Sequence, residues 1–268
     1  MSSRLPDVYS HEIGTGTPVI LLHGFGVDHR ILLPLDPTFD SAGGWRRIYL
    51  DLPGATGTPI GAVESTADVA AAVCAEITRR LGDEPFAILG NSFGGMIARQ
   101  VAHRLRPQVL GLATLAGVFV PEHSRRTVPA KTVLSSSPDA LLTAGVASDG
   151  YAEMAVVQSA DNARAFLDYV LPGLDGADQT ALERISARYA LPHEPEAAPA
   201  EPFTQPCLHI TAKQDHVVGF QDAWARLEHY PRATFAALDA AGHNVHLDQP
   251  ALTAALLADW LQRMRRAL

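Results

Sequence analysis

The sequence predicts an α/β protein, with a mostly parallel central sheet, helices on both faces and a helical cap inserted between its strands. Three observations predict it. Short apolar runs, such as Val19-Ile20-Leu21-Leu22 and Phe86-Ala87-Ile88-Leu89, read as strands buried on both faces. They alternate with segments whose apolar residues recur at helical spacing, which implies right-handed parallel crossovers. Between about Val118 and Gln205 that alternation stops, and several short amphipathic helical patterns replace it.

The elements follow in order. Val8 to Ile13 reads as a strand, and Gly14-Thr15-Gly16-Thr17-Pro18 turns it into Val19–Leu22 as an opening hairpin. That second strand ends at His23-Gly24-Phe25-Gly26, a turn whose glycines leave backbone N–H groups free to point inward. Trp45 to Leu50 is the next strand, closed by Asp51-Leu52-Pro53-Gly54. Ser65-Thr66-Ala67-Asp68 is a capping-box variant, and Val69, Val73, Ile77 and Leu81 mark one face of the helix it starts. Phe86 to Gly90 is a strand that runs into Gly90-Asn91-Ser92-Phe93-Gly94-Gly95, and Ile97, Val101 and Leu105 then share a helical face. Val109 to Leu115 is another strand.

In the helical stretch, Asp161 is a candidate cap for a helix carrying Phe166, Leu167 and Val170. Asp178 plays the same part for one carrying Leu182, Ile185 and Tyr189. Leu171-Pro172-Gly173-Leu174-Asp175-Gly176 reads as a break between them, and Leu191 to Pro206 as a proline-rich return path. Cys207 to Thr211 restores the strand pattern, Phe220 to Tyr230 reads as a helix, and Thr234 to Leu238 as the last strand. Leu252, Leu256, Trp260 and Met264 close the chain on a helix.

Composition bounds the function. With 268 residues, 47% hydrophobic and 19% charged, the chain can bury one large core. A formal net charge of -8 offers no basic footprint for nucleic acid or an anionic membrane. No apolar run approaches the ~20 residues of a membrane span, and Met1 to Asp7 lacks a signal peptide's apolar stretch, so the expected location is cytoplasmic. Cys74 and Cys207 have no metal-ligand or redox spacing and read as buried thiols. With no metal, nucleotide or flavin motif, no cofactor is implied; the expected partner is a small-molecule substrate, and oligomeric state has no signature here.

The chemistry centres on Ser92. A serine squeezed between a strand and a helix turns sharply enough to need small residues two before and two after it, and Gly90 and Gly94 stand there. The helix N-terminus that follows is directed at its hydroxyl. His23 competes as a base, although a histidine within such a turn more often fixes the loop. His216 and His246 are rivals to His243 as base, but neither directly follows a glycine just past the last strand. Asp222, Asp239 and Asp248 are rivals to Asp215 as its acid.

These landmarks resemble the α/β-hydrolases of the capped type, and the resemblance covers nearly the whole chain. It rests on His23-Gly24-Phe25-Gly26, Asp51-Leu52-Pro53-Gly54, the Gly90–Gly95 elbow, Asp215 and Gly242-His243, in that order. It implies a core domain of residues 1–117 and 206–268, with a cap of residues 118–205 inserted after the sixth strand. It further implies Ser92 as nucleophile, His243 as base, Asp215 as the orienting acid, and the Phe25 and Phe93 N–H groups as an oxyanion hole. Phe119, Tyr151, Phe166 and Tyr169 are the cap residues expected to shape the pocket.

Serine at the elbow argues against haloalkane dehalogenases, epoxide hydrolases and the cysteine-dependent dienelactone type. The implied activity is therefore hydrolysis of a small, largely uncharged carboxylic ester or lactone through an acyl-enzyme. The elbow also resembles that of carbon-carbon bond hydrolases acting on ring-cleavage products. Those usually show Gly-Pro-Gly in the oxyanion turn and tryptophan after the catalytic histidine, where Phe25-Gly26-Val27 and Asn244 stand here. A receptor for small molecules, or a cofactor-free enzyme of another kind on the same scaffold, is the remaining alternative.

Overall fold

The computed structural model describes residues 5–197 and 201–266, so part of the proline-rich return path lies outside the described residues. A seven-stranded sheet forms the centre. Its strands are β1 (Ser10–Ile13), β2 (Thr17–Leu22), β3 (Trp45–Leu50), β4 (Phe86–Asn91), β5 (Val109–Leu115), β8 (Cys207–Ala212) and β9 (Ala233–Leu238). β6 (Ser135–Ser136) and β7 (Val157–Gln158) make a separate parallel pair. The order across the main sheet is β1-β3-β2-β4-β5-β8-β9, antiparallel only between β1 and β3.

Two expectations change here. β1 forms no hairpin with β2, because β3 and β4 occupy both edges of that buried strand; the Gly14–Gly16 turn carries the chain across, and β1 pairs with the outer edge of β3. Among the described residues, the helical segment also follows the fifth strand in chain order, β5, rather than a sixth.

Beside the short α1 (Asp36–Ala42) and α10 (Val245–Asp248), the long helices pack on the sheet much as their spacing predicts, except that Leu105 is half-buried and Leu252 exposed. In α2 (Thr66–Leu81), Ser65 is the N-cap and accepts the Asp68 amide, and Val69, Val73, Ile77 and Leu81 are all buried. α3 (Phe93–Arg104) buries Met96, Ile97 and Val101. The last helix, α11 (Pro250–Arg265), buries Thr253, Leu257, Trp260, Leu261 and Met264, which turns Leu252 out to solvent.

Between β5 and β8 lie α4 (Pro138–Ala144), α5 (Ser148–Met154), α6 (Ala160–Tyr169), α7 (Leu171–Gly176) and α8 (Gln179–Ser186). Asp178 caps α8 through the Ala181 amide, as expected. α6 is capped by Ser159 instead of Asp161, which sits inside the first turn and pairs with Arg164. Leu171 to Gly176 is a short helix rather than a break, because Pro172 falls in its first turn, where a missing N–H costs nothing. The expected helix from Phe220 to Tyr230 shrinks to one α-helical turn, α9 (Gln221–Trp224), and a 3-10 turn at Leu227–His229.

The helical segment is tied to the sheet domain by polar contacts. The Asp178 amide donates to the Gly54 carbonyl, and Thr66 binds the carbonyls of Arg188 and Tyr189. Cys74 and Cys207 are buried and free, and burial pushes both thiols above their ordinary range. No helix among the described residues is long and apolar enough to cross a membrane.

Candidate active site

Ser92 follows β4 with φ 51° and ψ -115°, in the left-handed region that a residue with a side chain adopts only under constraint. The constraint is visible. A Cβ at Gly90 would collide with the Gly94 carbonyl, and one at Gly94 with the carbonyls of Leu22 and His23, so both positions must be glycine. The Ser92 amide donates to the Leu115 carbonyl at 2.9 Å, and its own carbonyl accepts the amides of Gly95 and Val118 at 3.0 and 2.9 Å.

Asp215 lies on the loop after β8 and His243 on the loop after β9, and the parallel pairing of these strands delivers both loops to the edge where β4 ends. Nε2 of His243 lies 2.8 Å from Oγ of Ser92, and its Nδ1 lies 3.0 Å from Oδ2 of Asp215. Oδ1 of Asp215 accepts the amides of Val217 and Val218 at 2.8 and 3.0 Å, which leaves Oδ2 for the imidazole. A carboxylate at Nδ1 selects the tautomer with its proton there, so Nε2 can accept from the hydroxyl. All three groups are buried, with Asp215 at 0% exposure and Ser92 at 8%.

The rivals have other employment. His23 donates from Nδ1 to the Gly24 carbonyl and accepts the Leu52 amide at Nε2, and burial lowers its pKa, so it braces the turn as a neutral ring. His246 donates from Nε2 to the Ile31 carbonyl at 2.7 Å, and burial lowers it to about 4. His216 faces Glu153. Asp239 accepts from Gln214, and Asp222 from the Thr127 amide. Asp248 is second to the site: it accepts the Gly242 amide at 2.7 Å, just before His243, and Nδ2 of Asn162 on α6 at 2.8 Å.

The amides of Phe25 and Phe93 have no hydrogen-bond partner among the described residues. Phe93 is the first residue of α3, where an N–H is left over by helix geometry. Gly24, before Phe25, lies so close to Ser92 that a Cβ there would sit 3.2 Å from the serine Cβ. The rings of Phe25 and Phe93 stack edge-on, with centroids 5.2 Å apart, and Tyr189 closes the group at 5.5 and 5.3 Å.

Two cavities meet at Ser92 and His243. The smaller, about 140 Å³, is walled mainly by apolar side chains, among them Val27, Ile31, Met154, Phe166 and Val170. The larger, about 530 Å³, runs past Phe25, Pro121, Arg126, Ser186, Tyr189 and Val217. Of the four expected cap residues, Phe166 alone lines either. Phe119 is buried under the Arg99 guanidinium, 4.0 Å from its ring centre, and Tyr151 is buried behind Phe166 with its hydroxyl on the Ser159 carbonyl. Tyr169 lies one helical step off the buried face of α6 and lines neither cavity. Met154, Arg126 and Tyr189 line these cavities without standing out as site residues in the sequence; Tyr189 alone carries a signal, as the last apolar residue of the helical pattern that starts at Asp178, although α8 ends at Ser186 and leaves it beyond the helix.

A family model described as the alpha/beta hydrolase family matches residues 19–256. The chain belongs to the alpha/beta hydrolase family. Among its relatives, a pimeloyl-[acyl-carrier protein] methyl ester esterase from Shewanella woodyi is 34% identical over 118 residues, which is 43% of this hydrolase-family chain and 41% of that protein. A biotin biosynthesis bifunctional protein, BioHC, from Teredinibacter turnerae is 25% identical over 91% of this chain and 44% of its own length. The matches thus span less than half the length of these curated relatives. Among solved structures, an alpha/beta superfamily hydrolase from Oenococcus oeni superposes with a TM-score of 0.88 at 23% identity, over 99% of this chain and 100% of that one. At that identity the likeness concerns the fold.

Proposed function

We propose that this protein is a serine hydrolase that cleaves a small carboxylic ester or lactone through an acyl-enzyme intermediate. The observation that carries the reading is the unbroken hydrogen-bonded line from Ser92 Oγ through His243 to Asp215. A serine hydroxyl is a poor nucleophile near neutral pH; His243 takes its proton as Oγ attacks the carbonyl carbon, and returns it to the leaving alcohol. Asp215 holds the ring in one tautomer and stabilises its cation. Charge that develops on the carbonyl oxygen is met by the Phe25 and Phe93 amides, and water then repeats the sequence on the acyl-enzyme. A binding pocket alone has no need of nucleophile, base, acid and free amides together. The esterase among the relatives supports the bond type.

In this proposal residues 1–117 and 206–268 act as the core and 118–205 as a cap that walls both cavities. Its test is turnover by the purified protein of short-chain aryl esters, lactones and a dienol-ketone. Ester or lactone hydrolysis that Ser92→Ala abolishes is the expected result. Turnover of the dienol-ketone alone would replace ester hydrolysis with carbon-carbon bond cleavage, and tight binding without turnover, unchanged in Ser92→Ala, would replace it with a receptor.

A further inference from the structure

Among the described residues, the larger cavity beside Ser92 is lined by apolar side chains, several hydrogen-bonding groups and one arginine, and by no carboxylate. Its polar side chains, apart from the reacting pair, are His123, Arg126, Ser186 and Tyr189. Arg126 is the anchor. Its Nε donates to the Val120 carbonyl at 2.8 Å, one terminal nitrogen to Val217 at 3.1 Å and the other to Pro121 at 3.0 Å. These bonds fasten the guanidinium to the chain after β5 and to the loop that carries Asp215, so its place is set before any ligand arrives. Tyr189 lines the same cavity, and the guanidinium works against the rise that burial gives its hydroxyl.

Carbonyl oxygens satisfy three N–H groups but leave the charge uncompensated, and two of the five guanidinium protons remain. Among the described residues Arg126 makes no ion pair. The acids on neighbouring segments are turned elsewhere: Glu122 to Arg125, Glu153 to Lys131 and His216, and Asp222 to the Thr127 amide. In a chain of net charge -8, a fixed, half-buried cation opening onto the nucleophile's cavity marks a place for a negative group.

We infer that the substrate is an anionic ester: its short apolar arm occupies the 140 Å³ cavity, and its other arm bears a carboxylate that Arg126 and the Tyr189 hydroxyl receive in the larger one. This deepens the ester-hydrolase reading and rests on it, and Arg126 in the cavity replaces the largely uncharged substrate expected from the sequence with a charged one. The cavity sizes agree with the division, since the small one holds only a few carbons and the large one has room for a chain or ring with a charged end.

The test uses two matched pairs of esters with the purified protein. Phenyl acetate and 4-carboxyphenyl acetate differ by a carboxylate on the alcohol arm; methyl hexanoate and monomethyl adipate differ by one on the acyl arm. In at least one pair kcat/KM for the anionic member is expected to exceed the neutral one about tenfold or more, chiefly through KM, and that ratio falls as salt is raised. In Arg126→Met the ratio drops toward one, and in Arg126→Lys it is partly kept. Should Arg126→Met fail to fold, the wild-type ratio and its salt dependence decide alone. Neutral esters cleaved as well as or better than their anionic partners in both pairs would overturn this inference and leave ester hydrolysis standing. No turnover of any of the four would overturn both.

Discussion

At Asp215 one carboxylate serves two masters: Oδ1 is held by two amides of its own loop, and Oδ2 is left for the ring of His243. The orientation of the imidazole therefore depends on an acceptor at one atom. Asp215→Asn presents either an oxygen without charge or an N–H that forces the proton onto Nε2, where it faces Ser92 and blocks proton uptake. We expect kcat to fall about 10³- to 10⁴-fold with KM changed little, by analogy with the same substitution in the serine-protease template. Steady-state kinetics on an aryl ester check this, and a loss of less than about tenfold would show that His243 is oriented by something else. Ser92, Asp215 and His243 were legible in the sequence because each stands in a short turn directly after an apolar strand. Arg126, Tyr189 and Met154 were not, because their relation to Ser92 arises only when separate segments fold over the sheet.

Among the elements, α6 and the His243 loop share Asp248, which bridges the Gly242 amide and Asn162. Burial raises this carboxyl to about 6, and nearby Asp215 pushes the same way. A carboxyl raised in the folded state favours folding most when protonated; its contribution is present below about pH 4 and is lost as pH rises through about 6. The buried imidazoles of His209 and His246, lowered by burial to about 3 and about 4, act in the opposite sense, losing stability as pH falls below 6.5. A comparison with Asp248→Asn cancels them. Urea unfolding of both proteins from pH 4 to 7.5 is expected to show wild type losing stability relative to the variant as pH rises; a constant difference would contradict the bridge as described. Elements of this kind were only partly readable: α2, α3 and most strands follow from periodicity, whereas β1's partner and the cap of α6 depend on which edges and side chains are already taken.

Across the whole molecule, the return path and the sheet domain are joined by a buried ion pair. Arg99 on α3 meets both oxygens of Glu196 at 2.7 and 2.6 Å and donates to the Val118 carbonyl, while the Tyr230 hydroxyl also donates to Glu196. Burial opposes charge on both groups, yet each holds the other ionised, so Glu196 is lowered and Arg99 raised. Through Val118, whose amide binds the Ser92 carbonyl, the pair also backs the elbow. Removing one partner leaves an uncompensated buried charge, so Arg99→Met should cost about 3–5 kcal/mol, much of it recovered in Arg99→Met/Glu196→Gln. Chemical denaturation measures both; equal losses in the single and double variants would mean that packing, and not charge, is at stake. No sequence pattern announced this pair, because its members stand 97 residues apart and neither lies in a motif.

The proposed activity requires an activated Ser92. Reaction with a fluorophosphonate probe, followed by mass mapping, tests it most directly. A single adduct on Ser92, absent from Ser92→Ala and strongly slowed in His243→Ala, is the predicted result. A folded protein that leaves Ser92 unmodified, or that labels Ser92 equally well without His243, would contradict it.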